Sequence, residues 1–139
     1  MKKVVVIDDE EKVIGNIAEI LEKDGYTVAT FSNPLSAIKT IEAVSDIDLI
    51  LTDMNMPGIS GSEILKAAQN RKRPIPVIVF TGFGDVDTAV NVMKAGASDF
   101  LCKPISGREL SVRVRKVMEK EELAEEVASE ILTYCLDVG

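Results

Sequence analysis

Apolar residues along this chain follow two rhythms. Five short runs are nearly continuous: VVVI at 4–7, YTVATF at 26–31, LIL at 49–51, VIVF at 77–80 and FLC at 100–102. Four of them lack the alternation of a half-exposed strand, which suits strands covered on both faces of a parallel sheet. Between the runs, apolar positions recur at helical spacing. Val13, Ile14, Ile17, Ile20 and Leu21 line one face of a helix, and Gly25 stands where a left-handed cap closes it. Asn33-Pro34 reads as the N-cap and first residue of a second helix carrying Ala37, Ile38 and Ile41. Ile64, Leu65 and Ala68 predict a third. Val86, Ala89, Val90 and Met93 predict a fourth, between Asp85 and Gly96. Ser106 to Glu109 is an S-x-x-E capping box opening a fifth, docked by Val112, Val114, Val117 and Met118.

Strand and helix thus alternate five times. Parallel strands need right-handed crossovers, so the economical solution is a doubly wound (βα)5 sandwich of α/β class, with helices on both faces of the sheet. Ligands of such sheets bind outside the carboxyl ends of the strands, so those ends are the place to search for chemistry.

The first run ends in Asp8 and Asp9, followed by Glu10 and Glu11. Carboxylates at a helix start cap free N–H groups and suit the macrodipole, which accounts for Glu10 and Glu11. The third run leads to Asp53, the fourth ends in Thr81-Gly82, and the fifth in Lys103-Pro104. Each alone reads as a turn, cap or solvated residue. In a parallel sheet all of them converge on one edge: three acids, a hydroxyl and a cation around one crevice. Carboxylates held that close repel one another unless a cation joins them. A hard divalent ion with oxygen ligands, Mg²⁺ above all, is the natural partner, because it retains waters and works with phosphate oxygens. Thr81 and Lys103 then read as holders of a phosphoryl group, and Asp53 as a nucleophile able to form an aspartyl phosphate.

Asp-Asp after the first strand, D-x-x-x-P-G after the third, T-G after the fourth and K-P after the fifth, over some 118 residues, closely resemble the receiver domain of bacterial two-component response regulators. The resemblance implies a flavodoxin-like sheet of strand order 2-1-3-4-5. It implies Asp53 as phosphoacceptor from the phosphohistidine of a sensor histidine kinase. Asp9, Asp53 and the backbone carbonyl of Asn55 would contact Mg²⁺, with Asp8 nearby or acting through water. Lys103 would pair with the phosphoryl group, across a Lys103-Pro104 bond similar to one that is cis in the family. Thr81 and Phe100 would be switch residues, although core packing alone would explain Phe100 equally well. Gly82 would leave room for the donor, and Gly61 suits the turn into the third helix. Ser60 departs from the usual Asp and Phe100 from the commoner Tyr, while Asn55 and Phe83 occupy variable positions that tune phosphate lifetime. The stretch TGFGDVDTAVNVMKAGASDFLCKP is similar to receivers attached to σ54-dependent activators. Such a domain accepts and autohydrolyses its own phosphate and is not a turnover enzyme.

An alternative is a phosphatase of the haloacid dehalogenase type, which also uses an Asp nucleophile, Mg²⁺, a Thr and a Lys. That family carries its nucleophile after the first core strand and a second Asp two residues on, where this chain has Asn55.

Charge divides the chain in two. Residues 1–118 carry 16 acids and 15 bases, whereas residues 119–139 carry seven acids and one base. Such a tail repels nucleic-acid phosphates, and the basic turn Arg71-Lys72-Arg73 is short, so direct nucleic-acid binding is not expected. No apolar run suggests a signal peptide or membrane span, the absence of His excludes imidazole chemistry, and Cys102 and Cys135 have no metal-ligand spacing. A cytoplasmic setting is the expectation. Residues 1–118 are expected to form the receiver, and 119–139 an acidic helical extension or the start of a linker. A helix running from 106 to 136 would be about 45 Å long and must project from the sheet. Leu123, Val127, Ile131 and Tyr134 repeat at spacings of 4, 4 and 3 along it. Either they form a coiled-coil seam for a homodimer, or the extension is solvated and leads to an output domain.

Overall fold

The computed structural model describes residues 1–82 and 86–138. In chain order the elements are β1 (Lys3–Ile7), α1 (Glu11–Lys23), β2 (Thr27–Phe31), α2 (Pro34–Ala43), β3 (Leu49–Asp53), α3 (Gly61–Gln69), β4 (Val77–Thr81), α4 (Val86–Lys94), β5 (Asp99–Cys102) and α5 (Gly107–Val138). The strands form one parallel sheet in the order β2-β1-β3-β4-β5. This is the doubly wound architecture expected from the alternation of runs and helices, with the flavodoxin-like strand order that the receiver resemblance implies.

Successive side chains of a strand point to opposite faces, so each apolar run feeds two cores. Val4, Val6, Leu49, Leu51, Ile78 and Phe80 turn toward α1 and α5. Val5, Ile7, Ile50, Val77 and Val79 turn toward α2, α3 and α4. The inner strands β1, β3 and β4 are therefore buried on both faces, each fully buried Leu, Ile or Phe contributing roughly 1.5–3 kcal/mol of transfer free energy. The edge strands β2 and β5 remain half-open, so the short FLC run is less covered than its continuity suggests.

Helix ends follow the punctuation in the sequence. Gly25, at φ 97°, closes α1: its N–H donates to Glu22 O, and that of Tyr26 to Leu21 O. That is the paired pattern of a Schellman turn, open to Gly without Cβ strain. Asn33 Oδ1 accepts the N–H of Leu35 at 2.9 Å, capping α2 as its sequence predicts. Ser106 Oγ accepts the N–H of Glu109 at 3.4 Å at the start of α5.

Two helices meet the sheet differently from their apolar patterns. In α4 only Val92 is buried, whereas Val86, Val90 and Met93 are exposed, Val86 by 73%. The helix lies over the sheet's β4–β5 margin, so little apolar surface is available beneath it, and one inward position suffices. Asp85 and Phe83 lie outside the described residues. In α5 the docking residues are Leu110, Val114, Val117 and Met118, while Val112 faces solvent.

α5 is one unbroken helix of 32 residues. Lys2 pairs with Glu122 at 3.5 Å and Arg73 with Glu125 at 2.8 Å, fastening the first turns of the extension to the amino-terminal end of the sheet. Along the extension Leu123, Val127, Ile131 and Tyr134 are all exposed, as a projecting helix requires. Among the described residues, no helix is long and apolar enough to cross a membrane.

Candidate functional site

Register alone aligns the strand ends. Ile7 lies opposite Thr52, Asp53 opposite Phe80, and Thr81 opposite Cys102. The residues just past those points, or at them, are Asp8, Asp53, Thr81 and Lys103. Backbone bonds tie the exits together: Asp8 N–H to Phe31 O, Met54 N–H to Phe80 O, and Lys103 N–H to Thr81 O. Four residues distant in sequence are thereby held on one rim by the sheet itself.

The side chains meet around Lys103. Its Nζ donates to Asp8 Oδ2 at 2.8 Å and stands 3.4 Å from Asp53 Oδ2. It also sits 5.4 Å from the centroid of the Phe80 ring, within range of a cation–π attraction. Asp8 is fully buried and Asp53 is 5% exposed. The second oxygen of Asp8 accepts the N–H of Glu10 at 2.9 Å. Asp9 lies outward, yet one carboxylate oxygen from each of Asp8, Asp9 and Asp53 falls within 4.8 Å of the others. Three hard oxygen donors at that separation fit a small divalent cation better than a soft metal.

Electrostatics mark the two buried acids as strained. Burial pushes Asp8 up from the ordinary carboxylate value, against the opposing hydrogen bond from Lys103. Burial likewise raises Asp53, despite the Lys103 charge and the backbone N–H of Asn55. For Lys103, burial favours the neutral form, but its bond to Asp8 and the charge of Asp53 outweigh it and raise its pKa. One cation therefore serves two buried anions. The deficit is what a second cation would relieve.

The supporting contacts are less legible in sequence. Gly61, at the start of α3, donates its N–H to Met54 O. A Cβ there would stand 2.9 Å from Asp53 O and 2.9 Å from Met54 Cα, so glycine permits the loop to close against the residue it supports. Asn55 Nδ2 lies 3.5 Å from Thr81 Oγ1 as donor to it, linking the β3 and β4 exits. The sequence pointed only to the backbone of Asn55; nothing in its pattern indicated where the amide would reach. Thr81 is buried, nothing would obstruct a Cβ on Gly82, and Phe100 is half-buried against the core beneath α4. The Lys103-Pro104 peptide is cis. Ser60 precedes α3 but makes no side-chain cap bond. Phe83, expected to border this crevice, is outside the described residues.

Asp53 ends the third strand and Asn55 carries no acid, so the geometry gives the haloacid dehalogenase-type alternative no general acid at that position.

Comparison with known proteins agrees with this arrangement. The family model described as "Response regulator receiver domain" matches residues 4–115. The transcriptional regulatory protein FixJ of Azorhizobium caulinodans is 43% identical over 112 residues, covering 79% of this chain and 52% of its own length. The crystal structure of a response regulator receiver domain protein from Clostridium thermocellum superposes with a TM-score of 0.82 at 36% identity, covering 89% of this chain and 99% of that one. The solution structure of the beryllofluoride-activated NtrC4 receiver domain dimer gives 0.80 at 35% identity, covering 86% and 98%. This chain spans about half the length of the first curated relatives it matches. On fold, strand-end residues and sequence, the chain belongs to the receiver domains of two-component response regulators.

Proposed function

We propose that Asp53 accepts a phosphoryl group from the phosphohistidine of a sensor kinase and that the resulting charge switches this domain between two conformations. The observation that carries this reading is the Lys103 ammonium held between Asp8 and Asp53 on a rim shared with Thr81. An Asp53 oxygen attacks phosphorus, the P–N bond breaks, and the histidine nitrogen keeps the electron pair. Asp8, Asp9, Asp53 and the Asn55 carbonyl would hold Mg²⁺. Bound there, Mg²⁺ would neutralise charge on the phosphoryl oxygens. Lys103, already oriented by Asp8, meets a second phosphoryl oxygen without reorganising, which is the advantage of a fixed charge in a water-poor site. Thr81 offers its hydroxyl to a third, and exchanging Asn55 for phosphate is the movement that reports the modification. Phe100, half-buried beside α4, follows as the larger switch element. Hydrolysis of the acyl phosphate by this same site returns the domain to its resting form.

Residues 1–118 form the phosphoacceptor unit in this reading and 119–139 an extension, consistent with the change from buried to exposed apolar residues along α5. The exposed α4 residues and α5 present the switched face to a partner, and the extension pairs with a second copy. The NtrC4 receiver, described as a dimer, supports such an association. Exposed thiols at Cys102 and Cys135 suit a cytoplasmic setting.

The test is to supply Mg²⁺ and a small acyl-phosphate donor. Asp53 is expected to gain a hydroxylamine-labile phosphate that chelation of the metal abolishes. Equal labelling of Asp53→Ala would sink the assignment.

A further inference from the structure

Along α5 one stripe of positions runs through Arg113, Lys116, Lys120, Leu123, Val127, Ile131 and Tyr134, separated by three or four residues and so sharing one face. It is offset from the Leu110, Val114, Val117 stripe that docks on the sheet. The stripe changes character along its length, basic in the portion beside the domain and apolar in the extension. Lys116 and Lys120 are exposed, and so are the four apolar residues. The extension is flanked by Glu126 and Glu130, also exposed.

We infer that two copies of this chain pair through this stripe in antiparallel orientation. The inference rests on the extension as a pairing helix, stated above, and not on the Asp53 chemistry. A parallel pair in register sets Lys116 against Lys116 and Lys120 against Lys120, like charges directly opposed in the seam. An antiparallel pair centred on Val127 sets Leu123 against Ile131 of the second copy and Lys120 against its Tyr134. Lys120 then faces an aromatic ring with Glu130 one turn away, attractions in place of repulsion. Antiparallel packing also opposes the two helix dipoles. Because α5 runs unbroken to Val138, the extension does not turn back onto its own sheet, and its apolar stripe stays exposed.

Sedimentation of the whole chain, with a spin label on Cys135 in a Cys102→Ser background, tests this. The expected result is a dimer in which the two labels lie about 24 Å apart along the helix axis, sixteen residues of rise. Val127→Glu should weaken the dimer by about tenfold or more, since a charge enters the apolar seam, while circular dichroism and Asp53 labelling remain unchanged. Lys120→Glu should weaken it by less. Labels separated by only one interhelix distance, about 10 Å, would identify parallel pairing and overturn the inference. A monomer at every concentration, or a dimer indifferent to Val127→Glu, overturns it equally. In each case phosphate labelling of Asp53 reports separately on the proposed function.

Discussion

At the carboxyl edge of the sheet, Asp8 and Asp53 are buried and share one lysine. At the amino edge, Lys3 pairs with Asp46 and donates its backbone N–H to Asp48, Lys2 pairs with Glu122, and Arg73 with Glu125, all largely in solvent. The residue types are the same and the outcome is opposite. Water screens the amino-edge pairs, which serve as fastenings worth little individually. At the carboxyl edge, burial removes that screening, so the excess anion cannot be ignored, and it is this excess that the proposed Mg²⁺ would offset. Arg71 shows a third use of charge at the amino edge: its guanidinium donates to the carbonyls of Ile41, Val44 and Ser45, closing the end of α2. The two arginines of the basic turn noted in the sequence are thus committed to the chain's own carbonyls and acids.

If burial makes the difference, perturbing the carboxyl edge should have large effects and perturbing the amino edge small ones. Lys103→Met should slow labelling of Asp53 by an acyl phosphate by roughly two orders of magnitude, the usual consequence of losing one charged donor from such a site. A rate within a few-fold of wild type would remove Lys103 from the phosphoryl contact. Gly61→Ala should destabilise the fold by roughly 1–3 kcal/mol, because a Cβ overpacks against Asp53 O and Met54 Cα. Urea unfolding measures this, and an unchanged midpoint would show that the loop shifts freely.

The raised pKa of Asp53 yields a signed prediction. A carboxyl whose folded pKa exceeds its unfolded value contributes stability that is complete below the unfolded pKa and is lost as pH rises through the folded one. Without divalent cations, Asp53→Asn should therefore melt above wild type at neutral pH, with the advantage vanishing on acidification through the carboxylate range. A lower melting temperature at neutral pH would mean that the Lys103 pairing outweighs burial. The smallest effect is expected at the other end. Lys2→Ala and Arg73→Ala should each change stability by less than about 1 kcal/mol and leave Asp53 labelling unaltered. A marked loss of labelling would show that the two edges communicate.

The pattern of runs and caps carried most of the fold. Gly25, Asn33 and Ser106 act within one helical turn of themselves, so local rules suffice to place them. The site residues were legible for a related reason: in a parallel sheet a strand's end is a position in space as well as in sequence. What proved illegible depends on fit across long separations. Whether Val90 or Val92 of α4 turns inward depends on how much sheet lies beneath that helix. Which carbonyls Arg71 reaches depends on where α2 ends beside it, some 27 residues away in sequence.

Sequence by itself therefore determined the alternation of elements, the convergence of Asp8, Asp9, Asp53, Thr81 and Lys103, and the segregation of charge into the tail, because each follows from periodicity or from order along the chain. Only the tertiary structure decided that Lys103 bridges Asp8 and Asp53, that Gly61 closes against Asp53, and that Glu122 and Glu125 fasten the long helix. Those contacts arise from distances across the sheet and between layers, which packing sets and periodicity does not encode.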